Sequence, residues 1–593
     1  MIPIKMTITT FLFWLIIFYL VRCDQKTKDT LPKVYDDSLT FDYSNFHKKA
    51  KKFIPEIGKN GGTLYLPLYS EPVSFNPVTT INSDYCIYEG LIKIDGITGE
   101  PKPHLADKWE ISDDSLSWTF HIRKGIMWSD STQFTAYDIQ FTFNDLIYNN
   151  KITPNPMKKL FLIDEQKIKI SALDTFSILF RLPKPYAAFL YLMSQEILPE
   201  HICKKLLKEN QFNTALTCTA SPDLLIGCGP FIFDSYYPLN FIKLRKNPLY
   251  WKKDSEGNSL PYIDTLQYVI MSDNDNAFQS LKRKEIDYLT VDGKSYKELK
   301  DKDTSFNIYH LGPAFESNFI LINQNTSINS LNGSPYVSLI KQGWFRNTLF
   351  RRALAHAINR ERIIDELLEG RGYKQWSPVN PALKDFYNSS VAKYPYDIAK
   401  AASILDNEGF KDRNNDGYIE DTAGNIIEFS IIVNHGNIIR QKTAEIFISD
   451  LKKLGMRVHL SVIDNKNLNS RLLNPPYEWD MAIAGISEGI EPYLGVDIWH
   501  STGPFHFWFP KQEKPSTLWE TKIDSLFIAG ISTYKREQRA AIYYEWQRIV
   551  ASEVPLLFTV RNERIICMSK RIGNCNPTIY GGLLHNIVTL FIK

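Results

Sequence analysis

The sequence lacks the local motifs of nucleotide-dependent and zinc-dependent catalysis. It contains no G-x-x-x-x-G-K-[ST], no H-E-x-x-H and no G-x-G-x-x-G, so a Walker phosphate loop, a metalloprotease helix and a dinucleotide fingerprint are all excluded. A strong charge of one sign is missing too, because 593 residues carry a net charge of only +3. Lys and Arg are interleaved with Asp and Glu, and we therefore expect no nucleic-acid partner.

Cysteine is scarce, with seven residues in the whole chain. None of them forms C-x-x-C or a Cys/His spacing that would hold a metal ion, so neither a metal site nor a redox motif is predicted. Cys218 and Cys228, and likewise Cys567 and Cys575, are close enough in sequence to close short disulfide loops. Structural disulfides and buried thiols both fit this pattern, and the sequence leaves the connectivity open.

Long hydrophobic runs are absent as well. The longest near the N-terminus, Thr10–Val21, follows Lys5 and ends close to Cys23; it is shorter than the roughly 20 residues that span a bilayer. This pattern indicates a secretion signal. Residues 20–23 (LVRC) resemble a bacterial lipobox, which predicts lipidation of Cys23, although Arg22 stands where a small residue is usual. An uncleaved anchor and ordinary secretion are the alternatives, and the polar residues 24–60 are predicted to be a tether.

The length of the chain exceeds what one hydrophobic core supports, so two or three lobes are expected. Helical and strand patterns alternate along the chain, which indicates the α/β class. Apolar and polar residues alternate from Ser117 to Arg123, as in a strand with one buried face. Thr135 is positioned to cap a helix that begins at Ala136.

The stretch from Thr98 to Asn144 contains the most specific pattern in the sequence. It resembles the signature "P-x-LA-x-x-W-x-x-SDD-x-x-x-TF-x-LRKG-x-x-W-SDG-x-x-F-TA-x-D" of the family 5 extracellular solute-binding proteins of ABC importers. The matching residues are Leu105, Ala106, Trp109, Ser112, Asp113, Asp114, Thr119, Phe120, Arg123, Lys124, Gly125, Trp128, Ser129, Asp130, Phe134, Thr135, Ala136 and Asp138. Ser131 departs from the usual Gly. Lys243–Trp251 and Arg351–Arg360 resemble two further family motifs.

The resemblance implies a periplasmic-binding-protein fold, with two hinged α/β lobes and an extra small α+β domain. The expected boundaries are 1–23 for the signal and lipobox, 24–60 for the tether, 61–87, 216–311 and 556–593 for lobe I, 88–215 for the extra domain and 312–555 for lobe II. It also implies a monomeric, lipid-anchored protein of the cell envelope that is not an enzyme and needs no cofactor or metal. Such a protein captures short peptides between its lobes and delivers them to separate permease and ATPase subunits.

The same resemblance suggests the binding residues. Residues 485–492 match the family loop "G-x-x-G-G-x-D-P", which includes Gly485 and Ser487, and peptide-binding members hold the ligand's α-ammonium group with the Asp. Glu491 takes that place here, and a solvated loop carboxylate is its alternative role. Arg440 matches an Arg that pairs with the ligand's carboxylate in dipeptide receptors, unless it is simply exposed on its helix. Trp499 and Trp508 are expected either to wall a side-chain pocket or to pack the lobe.

Other functions stay open at this stage. Gly485–Gly489 also fits the nucleophile elbow G-x-S-x-G, which makes Ser487 the nucleophile of an alternative lipid-anchored hydrolase. The catalytic partners of Ser487 would come from His500, His506, His585 and Asp524. The elbow requires a helix directly after the nucleophile, however, and the residues after Ser487 are poor helix formers.

The same fold could also bind a nickel chelate or an oligosaccharide, or serve as a scaffold without a ligand. Asp412–Glu420 imitates the start of an EF-hand loop, with Ala423 in place of the final Glu, so a turn or weak calcium binding is expected.

Overall fold

The computed structural model describes residues 41–80, 85–300 and 304–593. The predicted signal, the lipidation at Cys23 and most of the predicted tether lie outside these residues. The strands are β1 Thr63–Leu68, β2 Ile92–Ile94, β3 Pro101–Pro103, β4 Ala106–Ile111, β5 Ser117–Ile122, β6 Leu162–Ile163, β7 Gln166–Lys167, β8 Lys169–Asp174, β9 Ser177–Arg181, β10 Phe231–Tyr237, β11 Phe241–Lys246, β12 Thr265–Ile270, β13 Tyr288–Val291, β14 Phe306–Pro313, β15 Glu316–Ile322, β16 Gly372–Lys374, β17 Glu428–Asn434, β18 Arg457–Ile463, β19 Met481–Ser487, β20 Leu556–Phe558, β21 Val560–Ser569, β22 Ile572–Gly573 and β23 Phe591–Ile592.

Helices fill the connections between these strands. They are α1 Tyr43–Lys52, α2 Ala136–Phe141, α3 Met157–Leu160, α4 Phe189–Leu192, α5 Glu200–Lys208, α6 Phe212–Ala215, α7 Asn274–Lys282, α8 Gly293–Leu299, α9 Leu339–Phe345, α10 Thr348–His356, α11 Arg360–Leu367, α12 Ile398–Asn407, α13 Ile438–Lys453, α14 Asn465–Leu473, α15 Val496–Trp499, α16 Leu518–Ser532 and α17 Arg536–Glu553. A π-helical turn follows α2, and a 3-10 turn, Pro492–Gly495, precedes α15. No helix in the described ranges is long and apolar enough to cross a membrane.

Two groups of sheets form the two lobes. In the first lobe, β1 pairs in parallel with β12, and β11 and β10 complete that sheet. A second sheet of this lobe consists of β13, β21 and β14, and β16 also pairs with β21. The second lobe is built on the five-stranded sheet β18-β17-β19-β15-β20. The predicted class, an α/β fold of two lobes, is confirmed.

Two short crossings connect the lobes. The chain passes from β14 in the first lobe to β15 in the second, and it returns from β20 to β21. β20 had been assigned to lobe I from the sequence, but Leu556–Phe558 pair with β15. The return crossing therefore lies between Phe558 and Val560. Two adjacent crossings of this kind form a hinge about which lobes can close.

The signature stretch folds into part of the extra domain. β5 alternates as predicted, since Trp118, Phe120 and Ile122 are buried while the residues between them are half-exposed. It lies inside the antiparallel sheet β4-β5-β9-β8. Thr135 caps α2 and forms a capping box with Asp138. These elements follow from local sequence because a strand face and an N-cap are both set by neighbouring residues.

Residues 41–52 are a folded element rather than the solvated linker that the sequence suggested. Asp42 caps α1 by accepting a hydrogen bond from the Asn45 amide. Tyr43 is buried, and it packs with Leu311 next to one crossing and with Ile566 on β21. Helix α1 is therefore docked on the strands that carry the hinge.

Cysteine pairs that lie close in the sequence are not bridged in the fold. Cys218, Cys228, Cys567 and Cys575 are thiols, and Cys228 and Cys567 are buried. Burial raises the pKa of Cys567 to about 12, so its thiol is unreactive at neutral pH.

Glu520 gives the second lobe a defined acid sensitivity. Its carboxylate is buried at the start of α16 and accepts hydrogen bonds from Trp508, Ser516 and Thr517. Burial alone would raise the pKa of Glu520, but His506 and these donors lower it to about 2. A carboxyl group whose pKa is lower in the folded state stabilises the fold above the pKa of the unfolded chain, and this contribution is lost as the pH falls toward the folded value.

We therefore expect the free energy of unfolding to fall between about pH 4.5 and pH 2 by on the order of 3 kcal/mol through this group. The Glu520→Gln variant should lose most of that slope, whereas Glu366→Gln, at an exposed helix position, should keep it. Denaturant titrations at a series of pH values measure the slope. An unchanged slope in Glu520→Gln would contradict the assignment.

Candidate functional site

Two cavities open between the lobes. One, of about 470 Å³, lies between Thr98–Glu100 and Tyr580 on the first side and Leu383–Phe386 and Arg536 on the second. The other, of about 690 Å³, is lined mainly by the first lobe and the extra domain, and Leu494 of the second lobe borders it. Both volumes lie within the roughly 300–1,000 Å³ of small-molecule sites. The structure therefore has a cleft between its lobes.

Direct contacts join the extra domain to the second lobe at the edge of this cleft. Arg536 forms a 2.6 Å ion pair with Glu100 of the extra domain. The Ala187 amide donates to the carbonyl of Ile531 at 2.7 Å, and the Tyr186 amide donates to the hydroxyl of Tyr534 at 2.9 Å. These contacts hold the extra domain against the second lobe, so the cleft is closed on this side.

The loop of residues 488–495, here called the cleft loop, follows β19 and borders three cavities. Ile490 borders the cavity of about 470 Å³ and Leu494 the cavity of about 690 Å³. Glu491 borders a third, smaller cavity of about 80 Å³ inside the second lobe. Because β17 and β19 run parallel, their carboxyl ends meet at one edge of the sheet, which is where α/β folds bind ligands.

Glu491 is buried rather than solvated, with 1% of its surface exposed. It caps the 3-10 turn Pro492–Gly495, and its carboxylate accepts a hydrogen bond from the Tyr493 amide. The guanidinium of Arg539 on α17 forms an ion pair with Oε1, whereas Oε2 is buried and has no hydrogen-bond donor among the described residues. Burial raises the pKa of Glu491, and Arg539 opposes that rise. Nothing near Glu491 in the sequence marks Arg539 as its partner.

A second acidic residue of the cleft loop is paired in the same way. Glu488 accepts two hydrogen bonds from Arg561 on β21, at 2.6 and 2.9 Å. Arg561 is buried and also donates to the carbonyl of Glu316. This bidentate pair joins the cleft loop to the return crossing between the lobes. Arg561 was also missed, because nothing near it in the sequence marks it as a partner of residue 488.

Arg440 is a cation at this end of the sheet that forms no ion pair with a carboxylate of the described residues. It lies in the first turn of α13, which Asn437 caps, and its side chain is half-buried. Nη1 is 3.5 Å from Oδ1 of Asn434, and Nε is buried with no acceptor in the part of the chain that the structure describes. Burial lowers the pKa of Arg440, and Glu316 opposes this effect; the guanidinium nevertheless stays charged at neutral pH.

Gly485 and Arg440 lie next to each other in the second lobe. A Cβ atom added at Gly485 would lie 2.5 Å from Nη2 of Arg440 and 2.9 Å from the carbonyl oxygen of Ser317. Ser317 and Ser487 both line the 80 Å³ cavity together with Glu491 and Trp499. The structure therefore places Gly485, Ser487, Glu491 and Arg440 around the same end of strands β15 and β19.

The two tryptophans differ in their positions. Trp499 borders the 80 Å³ cavity, but 95% of it is buried and it packs against Trp508 and Trp546. Trp508 is buried in the core of the second lobe, where its indole N–H donates to Glu520. Trp508 thus packs the lobe, which was one of its two expected roles.

The elements of a hydrolase are not assembled around Ser487. A loop and the short turn Pro492–Gly495 follow β19, where a nucleophile elbow needs a helix. His506 is bound to the carbonyl of Ile498 and to Glu520, and Asp524 accepts two hydrogen bonds from Ser501. These side chains are engaged elsewhere in the lobe.

The EF-hand-like loop forms a compact acidic turn. Carboxylate oxygens of Asp412, Asp416 and Glu420 lie within 4.8 Å of one another. Asp412 accepts from the amides of Asp416 and Gly417, and Glu420 accepts from the Arg413 amide. Backbone amides thus already satisfy much of this cluster, as expected for a turn.

The contact between Gly485 and Arg440 gives a testable prediction. We expect Gly485→Ala to lower the free energy of unfolding by about 1–3 kcal/mol, because the new methyl group overlaps the Ser317 carbonyl and must displace Arg440. The matched control is Gly343→Ala in α9, where an added Cβ meets nothing within 4 Å; that change should be neutral or stabilising. Urea titrations of both variants test this, and equal stabilities would contradict the crowded geometry.

Comparison with known proteins gives one consistent family. The model of "Bacterial extracellular solute-binding proteins, family 5 Middle" matches residues 100–504. The chain is 28% identical over 482 residues to a probable ABC transporter-binding protein of Deinococcus radiodurans, covering 77% of this chain and 79% of that protein. It is 26% identical over 517 residues to the oligopeptide-binding protein AppA of Bacillus subtilis, covering 84% and 86% respectively.

Solved structures show the same fold. AppA of Bacillus subtilis in complex with a nonapeptide superimposes with a TM-score of 0.68 at 24% identity, covering 90% of this chain and 100% of that one. The periplasmic binding protein MelB of Agrobacterium fabrum in complex with stachyose gives a TM-score of 0.70 at 21% identity, covering 92% and 86%. Proteins of this architecture therefore accommodate chemically different solutes.

Proposed function

Because the chain belongs to the family 5 extracellular solute-binding proteins of bacteria, and is thus a substrate-binding protein of an ABC transporter rather than an enzyme, we propose that it captures short peptides in the interlobe cleft. The observation that carries this proposal is the cleft between the lobes, together with Arg440 beside Gly485 at the end of β19, for which the described residues provide no ion pair. A guanidinium in such a place suits a carboxylate, which it can meet with two parallel hydrogen bonds.

The structure of the cleft supports a peptide in two further ways. Its cavities, of about 470 and 690 Å³, offer room for several residues. The loop and strand ends around Gly485 carry backbone groups that can hold a peptide main chain without regard to its side chains. AppA of Bacillus subtilis, a relative of comparable length, is named for oligopeptide binding. Loose sequence preference is therefore part of the proposal.

Delivery and anchoring complete the proposal. A protein of this family acts outside the cytoplasm, and we propose that lipidation of Cys23 holds it, as a monomer, at the outer face of the membrane. There it would pass its ligand to permease and ATPase subunits encoded as separate chains. The docking of α1 on the strands of the hinge supports a tether that reaches the binding unit near the crossings. The predicted domain boundaries, with the return crossing moved to residues 558–560, belong to this proposal.

The second candidate function is binding of a solute other than a peptide. The Glu491–Arg539 ion pair favours this function, because a carboxylate already neutralised by an arginine is less suited to holding the α-ammonium group of a peptide. MelB, whose structure contains stachyose, has the same fold. An oligosaccharide or a nickel chelate would use the same cleft.

Calorimetry distinguishes these candidates. We expect pooled peptides of two to five residues to bind the purified chain with one site per molecule, and stachyose or nickel–histidine to release no binding heat. Heat from stachyose or nickel–histidine, with none from peptides, would replace the peptide proposal by the second candidate. No heat from any of them would contradict both.

A further inference from the structure

The two interlobe cavities differ in the chemistry of their walls. Apolar and aromatic side chains make up most of the wall of the cavity of about 690 Å³, and they come from the extra domain, from the C-terminal part of the first lobe and from the cleft loop. Among them are Ile94, Phe161, Leu192, Leu584, Val588 and Leu494. Tyr580 lines both cavities. The cavities are therefore neighbours, and one ligand can extend from one into the other.

Two leucines of the larger cavity are exposed although they border it. Leu160 on α3 is 46% exposed and Leu494 in the cleft loop is 42% exposed. They come from opposite sides of the cleft, the extra domain and the second lobe. Next to them, Lys159 and Asp497 form a 3.3 Å ion pair that joins the same two sides. An apolar group placed between the leucines would remove apolar surface from water on both sides of the cleft.

Charges in the wall of this cavity are balanced by one another. Nε2 of His104 lies 2.8 Å from a carboxylate oxygen of Glu89, and Nδ1 of the same ring lies 3.2 Å from Nζ of Lys252. Burial lowers the pKa of His104, which fits a neutral ring that donates to Glu89 and accepts from Lys252. The cavity is also lined by Lys93 and Glu196, whose charges are opposite. The wall thus requires no charged group on the ligand.

Other polar groups in the wall are neutral. The hydroxyl of Tyr88 is buried and has no hydrogen-bond partner in the described part of the chain, so it offers the ligand one uncharged hydrogen bond. Nε2 of His585 lies 2.6 Å from the carbonyl oxygen of Asn576, and burial lowers the pKa of His585. A mostly apolar wall with one free neutral group suits a large aliphatic or aromatic side chain.

The cavity of about 470 Å³ is charged instead. Arg536 forms ion pairs with Glu100 and with Asp385, at 2.6 and 2.7 Å. Lys51 and Lys384 also line this cavity, and they add positive charge that the two carboxylates do not balance. Polar main-chain groups and a negative end group are better placed here than against the apolar wall of the larger cavity.

We infer that the cleft selects amphipathic solutes, in which one large aliphatic or aromatic side chain fills the cavity of about 690 Å³ between Leu160 and Leu494 while the polar part lies in the cavity of about 470 Å³. The inference rests on the proposed function and narrows its ligand class to peptides that carry a large apolar residue at one position. The other positions keep a loose preference, because backbone contacts do not depend on side chains.

A series of alanine tetrapeptides tests the inference on the unaltered chain. Each peptide carries a single Phe, Leu or Ser, placed at each of the four positions in turn, and calorimetry gives the Kd. At one position we expect Phe or Leu to lower the Kd by about 10- to 100-fold relative to Ser, as for burial of a whole apolar side chain. A difference below about threefold at every position, or tighter binding of the Ser peptides, would overturn the inference and leave the peptide proposal intact. No binding by any peptide would overturn both.

Substitution of the two leucines tests their role. We expect Leu160→Asn and Leu494→Asn each to raise the Kd of the best Phe or Leu peptide by about fivefold or more, and to leave the Kd of the Ser peptides within about twofold. Leu331→Asn is the matched control, because Leu331 is 93% exposed and lines neither interlobe cavity; its Kd values should not change.

Circular dichroism checks that the three leucine variants are folded, which their exposure favours. If neither Leu160→Asn nor Leu494→Asn folds, the tetrapeptide series on the unaltered chain decides alone. Folded variants that still distinguish Phe from Ser as the original chain does would contradict the role of the two leucines.

Discussion

Replacing Arg561 by Met is expected to lower the free energy of unfolding by about 3–5 kcal/mol, the usual cost of leaving one partner of a buried ion pair without the other. Arg561 is 2% exposed and holds Glu488 with two hydrogen bonds. It also donates to the carbonyl of Glu316 at 3.1 Å. The single change therefore leaves a buried carboxylate and a backbone carbonyl without their donor. Thermal and urea unfolding of the purified variant measure the loss.

The control for this prediction is the double variant Glu488→Leu/Arg561→Met. Replacing both partners by apolar side chains removes the unpaired charge, so the double variant should be more stable than Arg561→Met alone. Arg471→Met, at a half-exposed position of α14 away from both partners, should change stability by less than about 0.5 kcal/mol. If Arg561→Met were no less stable than Arg471→Met, the buried pair would not exist as described.

Replacing Arg440 by Met is expected to weaken peptide binding by about 30-fold to several thousand-fold, equivalent to about 2–5 kcal/mol for loss of one partner of a buried charge pair. The folded state should lose little stability, because the guanidinium forms only one long hydrogen bond, to Asn434, among the described residues. A large loss of affinity without a loss of stability is the expected result for a residue whose partner is the ligand. Calorimetric titration and urea unfolding of the same preparation test both parts.

Lys442→Met is the matched control for Arg440→Met. Lys442 is two residues further along α13, and it is exposed and paired with Glu445, so its replacement removes the same charge from the same helix without touching the cleft. Its Kd should stay within about twofold of that of the original chain. An equal loss of affinity in both variants would mean that general electrostatic attraction, rather than contact with Arg440, controls binding.

Much of the fold follows from local sequence. The buried face of β5, the capping box at Thr135 and the cap of α11 at Asn359 all depend on residues a few positions apart, and a one-dimensional pattern records such neighbours well. The signature stretch and two further motifs supplied the family, from which the two hinged lobes follow. The helix at residues 43–52 was missed because its Lys-rich sequence resembles a linker, and its stability comes from packing against Leu311 and Ile566.

The candidate site was predictable only in part. The sequence predicts Gly485, Glu491 and Arg440 as site residues, because a family loop and a family helix mark them. It did not reveal that Glu491 is buried against Arg539, which is 48 residues away in the chain, or that Arg561 neutralises Glu488. Such pairs are made by the tertiary fold, and a buried charge and a solvated one look identical in a sequence. Only the tertiary structure therefore reveals which charged side chains remain available to a ligand.

The most direct test of the whole account is native mass spectrometry of the purified chain mixed with the free peptide pool, followed by release of whatever binds and measurement of its mass. We expect one peptide per chain, released with its mass unchanged, and loss of that complex in Arg440→Met but not in Lys442→Met. A released peptide that had been cleaved or otherwise modified would contradict it, and so would a complex that survives in Arg440→Met.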